Sequence, residues 1–204
     1  MDLWTLEREL FGAGFSRVCG CDEAGAGPLA GSVYAAAVIL PGECAIEGLN
    51  DSKKLTARKR EKLYDIIVEQ AAAYAIESVS AQEIDEMDIL NARMLAMRRA
   101  VERLSPLPDF VLIDGNCDRG FTMPHRAVVG GDGKSAGIAA ASILAKVARD
   151  RYMQEMDALY PGYGFAGHKG YGTAAHYAAL DRLGPCAIHR RSFLRKYDAR
   201  KHQA

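Results

Sequence analysis

Apolar positions along the chain recur with two different periods, and the switches between them mark out the elements. Residues 2–12 read as a short amphipathic helix, Arg17–Cys21 as a strand, and Ser32–Leu40 as a second strand entered through a Gly/Pro turn. Thr56 is placed to N-cap a helix running to about Ala72, because Leu63, Ile66, Ile67 and the pair Gln70/Ala71 return at helical spacing. A strand over Ala73–Val79 should follow. Ser80 with Glu83 has the form of a capping box. Beyond it, "LNARMLAMRRAVERL" puts Leu90, Met94, Met97, Val101 and Leu104 on one helical face, before Pro106 and Pro108 stop the helix.

Three apolar segments run into acids. "VCGCDEAGAGPLAG" sets Asp22 and Glu23 ahead of a glycine-rich turn, and "DFVLIDGN" carries a strand from Phe110 to Ile113 into Asp114. "AVVGGDGKSAGIAAASILAKVARDRYM" passes through Gly130 and Gly131 to Asp132, just before a helix from about Ser135. In that helix the small residues Ala139, Ala140, Ala141 and Ser142 would permit close packing on a sheet. A carboxylate at the end of a buried strand is costly unless it is solvated, paired or metal-bound. Neighbouring strand residues point to opposite faces, so Asp22 and Glu23 converge only where the strand ends, and Gly25 supplies an ending. Asp22, Glu23, Asp114 and Asp132 together form an oxygen-ligand set for hard divalent cations, Mg²⁺ or Mn²⁺, which relieve the repulsion among clustered carboxylates. Two such ions about 3.5–4 Å apart could activate water and stabilise the leaving oxygen in an in-line phosphodiester displacement. Asp85, Glu86 and Asp88, by contrast, read as ordinary surface acids.

Composition narrows the class. The 204 residues, 49% of them hydrophobic, fit one domain with a real core, and a monomer is the default expectation. No apolar run approaches the length of a membrane span, and the charged start has no signal-peptide centre, so a cytoplasmic location is expected. Five cysteines without a C-x-x-C pair suggest free thiols in a reducing compartment. Formal charge is zero and by itself gives no support to a nucleic-acid partner. Two local basic runs, Lys53–Lys62 and His189–His202, acquire meaning only beside a site. Gly25-Ala26-Gly27-Pro28-Leu29-Ala30 matches a dinucleotide fingerprint formally, but strand-like Val33–Ile39 follows where a helix is needed, and Asp22 and Glu23 would face the phosphates. "GDGKS" lacks the P-loop glycine, since position 128 is Val128. Ser135 and Ser142 have no His/Asp order near them and read as a helix cap and a packing residue.

The motifs "CDEAGAGPLAG", "DSKKLTARKREKLY", "VLIDGN", "GGDGKSAGIAAASILAKVARD", "YGFAGHKGYGT" and "IHRRSF" follow one another over residues 18–193. In this the chain closely resembles the type 2 ribonucleases H, the ribonuclease HII family. The resemblance implies an α/β fold, a ribonuclease H-like mixed β-sheet flanked by helices, in a single domain whose helical C-terminal part, from about residue 160, helps to clamp a duplex. It implies that Asp22, Glu23, Asp114 and Asp132 are the metal-binding catalytic carboxylates. The implied activity is endonucleolytic cleavage of RNA in RNA/DNA hybrids and of the strand 5′ to a ribonucleotide embedded in duplex DNA, leaving 3′-hydroxyl and 5′-phosphate ends.

The residues accept these roles. Backbone N–H groups of Gly25, Ala26 and Gly27 can approach a sugar edge or phosphate, and the 2′-hydroxyl is what separates RNA from DNA there. Tyr171 matches the family tyrosine that packs on the sugar beside the junction; from the residues alone it could equally plug a surface loop. Lys53, Lys54, Lys146, His168 and Lys169 are candidate phosphate contacts, which position rather than specify. Lys146 could instead pair with Asp150, and Arg190 and Arg191 could be duplex clamps or packing caps. His168 is too isolated from Cys or other His residues to suggest zinc. The chain departs from the family at Ala26, which stands where Gly-Arg-Gly is usual. Loss of that guanidinium should remove a charge-assisted phosphate contact of about 1.5–3 kcal/mol while keeping the backbone donors. Two other readings stay open: a hybrid-binding module with degraded catalysis, and a ribonuclease H-fold nuclease acting on DNA alone.

Overall fold

The computed structural model describes residues 2–42, 44, 46–50, 52 and 55–201. Among the described residues one five-stranded sheet forms the centre, in the order β3-β2-β1-β4-β5. Its strands are β1 (Val18–Ala24), β2 (Val33–Ile39), β3 (Ala73–Val79), β4 (Phe110–Asp114) and β5 (His125–Val128). β2 runs antiparallel to β1 and β3, whereas β4 runs parallel to β1 and β5, which makes the sheet mixed as expected. The helices are α1 (Thr5–Gly12), α2 (Ala57–Gln70), α3 (Ala81–Met87), α4 (Ile89–Glu102), α5 (Ala136–Leu159), α6 (Phe165–His168), α7 (Ala174–Leu183) and α8 (Arg191–Lys201). No described helix is long and apolar enough to cross a membrane.

Period-two alternation divides the core. Cys19, Cys21, Val33, Ala35, Ala37, Val111 and Ile113 face α4, packing with Met94, Met97 and Val101. Ala36 and Val38 face the other way, against Ala140, Ile143 and Leu144 of α5 and Leu63 and Ile67 of α2. β1 and α5 meet backbone to backbone: a Cβ on Gly20 would lie 1.9 Å from the carbonyl carbon of Gly137. The small residues of α5 thus let the helix close onto the strand that bears the acids, as their pattern predicts.

Several boundaries match the sequence reading. β3 spans Ala73–Val79, Thr56 accepts from Lys59 N at the start of α2, and Ser80 with Glu83 closes a complete capping box. Two expectations need correction. The face from Leu90 to Val101 lies on the one helix α4, which Asp88, at φ 76°, separates from α3 and caps by accepting from Asn91 N, with Leu104 just past its end. Met94, Met97, Val101 and Leu104 of that face are buried, but Leu90, in the first turn, is 42% exposed. Nor does β1 stop at Cys21; its ladder with β2 continues through Asp22↔Ala36 and Glu23↔Ala35 to Ala24↔Tyr34. Asp22 and Glu23 therefore do not converge at a strand end but stand on opposite faces of a strand.

Asp85 is more than a surface acid. Its carboxylate accepts from Arg191 N at 2.7 Å and Ser192 N at 2.9 Å, capping α8 from a distant helix.

Candidate active site

The parallel ladder between β1 and β4 ends at Cys21↔Ile113, and the acids lie just past it. Asp22 and Asp114 thereby become neighbours on adjacent strands and on the same face, the one turned to α5. Glu23 is turned to α4, where Arg93 Nε lies 3.1 Å from its Oε1. Asp22 is 5% exposed, and its carboxyl is pushed well above the ordinary range by burial, then by the charges of Glu23 and Asp114. Two donors oppose that shift, the hydroxyl of Ser142 and the backbone N–H of Glu23, the latter 2.7 Å from Asp22 Oδ1. Since Ser142 donates to Asp22, the 2.8 Å Ser52–Ser142 contact has Ser52 as donor.

Asp114 Oδ1 accepts from Gly131 N at 2.6 Å, tying β4 to the 3-10 turn Gly131–Gly133 that carries buried Asp132. Three of the four predicted acids are thus electrostatically coupled, and the fourth lies on a turn fastened to one of them. Among the described residues no group of three or more His, Cys, Asp or Glu side chains is closed into a metal cage. The donor chemistry nevertheless fits a hard divalent cation: the like-charged carboxylates of Asp22, Glu23 and Asp114 destabilise one another here, and their oxygens are hard ligands. A cation would offset both the burial and the repulsion that push the Asp22 carboxyl upward.

A cleft of about 250 Å³ opens beside these acids, lined by Asp22, Glu23, residues 24–27, Ser52, Ser142, Lys146, Arg149 and Tyr171. Gly25, Ala26, Gly27, Lys146 and Tyr171 are therefore brought together as the sequence predicts, with Asp114 and Asp132 outside the lining. Lys146 pairs with Asp150 at 2.6 Å, one of the two readings left open for it, yet still borders the cleft. Lys53 and Lys54 lie outside the described residues. His168 and Lys169 do not line the cleft. Both ring nitrogens of His168 are taken up by its own loop, donating to Tyr163 O (2.8 Å) and accepting from Gly170 N (3.1 Å), which leaves no donor for a phosphate. Nor is His168 isolated in space: its ring stacks on His176 at 4.4 Å.

Two buried arginines escaped the sequence reading or were left open by it. Arg149, from α5, donates to the carbonyls of Ser32 (3.2 Å), Ala30 (3.3 Å) and Lys169 (3.0 Å), beneath Gly25. A Cβ on Gly25, whose φ is +96°, would lie 1.9 Å from Arg149 Nε, so both the backbone and the space demand glycine. Arg190 is fully buried and donates to the carbonyls of Gly25, Ala26 and Gly31 at 2.7–2.9 Å. It is a packing residue behind the glycine loop, the second of the readings given for it. The signal for either would have been a basic residue beside small ones, which the chain offers in too many places to choose from.

The profile of the Ribonuclease HII family matches residues 19–196 of this chain. Among curated proteins, the ribonuclease HII of Syntrophotalea carbinolica is 54% identical over 187 residues, covering 92% of this chain and 90% of that protein. The ribonuclease HII of Laribacter hongkongensis is 58% identical over 179 residues, with 87% and 90% covered. Among solved structures, the ribonuclease H2 from Pyrococcus horikoshii superposes with a TM-score of 0.75 at 27% identity, covering 92% of this chain and all of that one.

Proposed function

Since the chain belongs to the ribonuclease HII family and is an endonuclease of the ribonuclease H type, we propose that it cuts the RNA strand of RNA/DNA hybrids and the strand 5′ to ribonucleotides embedded in duplex DNA, using Asp22, Glu23, Asp114 and Asp132 to hold divalent cations. The observation that carries this reading is the position of Asp22. Its carboxyl is raised by burial, Glu23 and Asp114, and it borders a cleft that a glycine loop and a half-exposed tyrosine also line. Two Mg²⁺ or Mn²⁺ ions, when bound, supply water activation and charge neutralisation for hydrolysis to 3′-hydroxyl and 5′-phosphate ends. A structure of Bst-RNase HIII, which shares the fold at 18% identity and a TM-score of 0.63, is a complex with Mn²⁺.

The chain's own groups do the remaining work. Ser52 and Ser142 hold the Asp22 carboxylate in one orientation. Lys146 offers an ammonium to a phosphate at the cleft, at the cost of its pair with Asp150. The N–H groups of the glycine loop meet the ribose or its phosphate, and Tyr171, 47% exposed, packs on the sugar beside the junction. Lys53, Lys54 and Lys169 add phosphate contacts, and the helical part from about residue 160 clamps the duplex in a single-domain, monomeric, cytoplasmic enzyme. Removal of ribonucleotides and RNA primers from DNA is the biological use that such a reaction serves.

The test is cleavage of three end-labelled duplexes, with one ribonucleotide, with a full RNA strand and with DNA alone, in Mg²⁺ and in Mn²⁺ separately. Cation-dependent cutting 5′ to the lone ribonucleotide by the wild type, absent with Asp22→Asn and absent on DNA, is the expected result. Folded wild type that cuts neither ribonucleotide substrate would overturn the reading and leave a hybrid-binding module.

A further inference from the structure

We propose that His176, His189 and Arg190 form a buried gauge that fixes the gap between the glycine loop and Tyr171, which makes them positioning residues for ribose recognition. The inference rests on the reading of that loop and that tyrosine as the two jaws that meet the ribose. The jaws are close: a Cβ on Gly27 would lie 3.7 Å from the Tyr171 ring.

Arg190 sets one jaw. Its Nη2 donates to Gly25 O at 2.7 Å and its Nη1 to Ala26 O at 2.9 Å. A trans peptide aims its N–H opposite its C=O, so the N–H groups of Ala26 and Gly27 are turned away from the guanidinium. Ala26 itself has no side chain that could reach a phosphate, so the loop's recognition chemistry is its backbone, and Arg190 orients that backbone.

His189, the preceding residue, sets the other jaw through His176. His176 Nδ1 lies 2.9 Å from Tyr171 O, and a carbonyl can only accept, so Nδ1 carries the proton. In neutral His176 the Nε2 is then an acceptor, and His189 Nε2, 3.0 Å away, must donate to it. That leaves His189 Nδ1 as an acceptor, and it faces Cys186 N at 2.9 Å, a donor. The chain Cys186 N–H, His189, His176, Tyr171 O thus has one consistent proton order, in which His189 Nδ1 takes the shorter contact from Cys186 N over the 3.3 Å approach to Cys186 O. Both imidazoles are buried, and burial pulls both below the ordinary histidine range, His189 to about 4.

The same short segment is sewn to the glycine loop by its backbone: Gly31 N donates to Ile188 O (2.8 Å) and Arg190 N to Leu29 O (2.9 Å). Leu29 N in turn donates to Gly170 O (2.8 Å), next to Tyr171. One dipeptide, His189–Arg190, therefore fastens both jaws at once.

The experiment compares His176→Phe, which removes the donor to Tyr171 O, with His176→Asn, whose amide keeps a donor at the Nδ position. Steady-state kcat and KM are measured on the single-ribonucleotide duplex at saturating Mg²⁺, alone and combined with Tyr171→Ala. His176→Phe should raise KM about tenfold with kcat within about twofold, His176→Asn should recover most of that, and His176→Phe should add nothing once Tyr171→Ala is present. Equal behaviour of Phe and Asn, a fall in kcat without a change in KM, or additivity with Tyr171→Ala would overturn the gauge. Tyr171→Ala with unchanged KM would overturn the tyrosine's own role and the gauge with it. If His176→Phe does not fold, His189→Leu against His189→Gln gives the same contrast, since the glutamine amide keeps the donor toward His176; equal KM values for that pair would again overturn the proposal.

Discussion

The two walls of the candidate site, which reach beyond the cleft lining to Asp114 on one side and Gly31 on the other, are built on opposite principles. On one, Asp22, Glu23 and Asp114 crowd like charges into a buried corner without closing them around anything. On the other, the carbonyls of Gly25, Ala26, Gly31 and Tyr171 each have a buried donor, supplied by Arg190 or His176. The acidic wall is left strained, and in the proposed function a cation relieves it. The glycine–tyrosine wall is satisfied beforehand, so that little of its geometry has to be organised when a duplex arrives. On the proposed reading, chemistry that depends on a dissociable cation and recognition that depends on the spacing of loop and tyrosine call for these two different solutions.

The largest expected effect breaks the acidic wall. Asp22→Asn should lower turnover on the order of a thousandfold. Because the folded carboxyl titrates above its ordinary 3.8, its favourable protonated state is lost as pH rises through the folded value, and the ionised group costs stability at neutral pH. The amide should therefore raise Tm at pH 7 without added cation and abolish the rise in Tm expected of the wild type on adding Mg²⁺. A wild-type Tm insensitive to Mg²⁺ would count against the strained-wall description.

A smaller effect sharpens the other wall. Ala26→Arg restores a guanidinium to a loop whose backbone is already oriented, so KM on the single-ribonucleotide duplex should fall about tenfold with kcat nearly unchanged. An unchanged KM would mean that the backbone donors alone account for binding there.

The smallest effect concerns acid. His189 falls from its ordinary 6.5 to about 4 through burial and the neighbouring His176, with His168 and Arg191 adding to the shift and the Cys186 backbone opposing it. A depressed histidine contributes stability above 6.5 that is lost as pH falls from 6.5 toward 4, because the unfolded chain binds the extra proton first. His189→Gln should flatten the loss of stability in that window, measured by denaturant melts at a series of pH values, even if it lowers the plateau near pH 8.

The acidic wall was legible in the sequence because a carboxylate inside an apolar run is conspicuous wherever it occurs. The strand carrying it was misjudged by three residues, since β2 keeps pairing with β1 after β4 has ended, and one-dimensional pattern does not say which neighbour runs out first. The boundary between α3 and α4 at Asp88 was not read from the sequence, because a residue whose side chain caps α4 while its backbone takes a positive φ leaves no mark in apolar periodicity. The second wall was legible only as far as its surface, in Gly25 to Gly27 and Tyr171. Its supports were hidden because a buried arginine and a surface arginine look alike in a basic run. His176 drew no notice at all, its partners lying at positions 171 and 189 across a loop and a helix.

The bridge between Leu29–Gly31 and Ile188–Arg190 also has a consequence for the order in which the molecule is completed on the ribosome. All four carboxylates and every strand of the sheet precede residue 140, whereas the guanidinium behind the glycine loop arrives at residue 190. A nascent chain thus has its acids in hand before it owns the parts to which sugar recognition is assigned in the proposal. If that assignment holds, discrimination is the last property synthesis confers, and a product stopped short of Ile188 would carry the acids of a nuclease without its calibration.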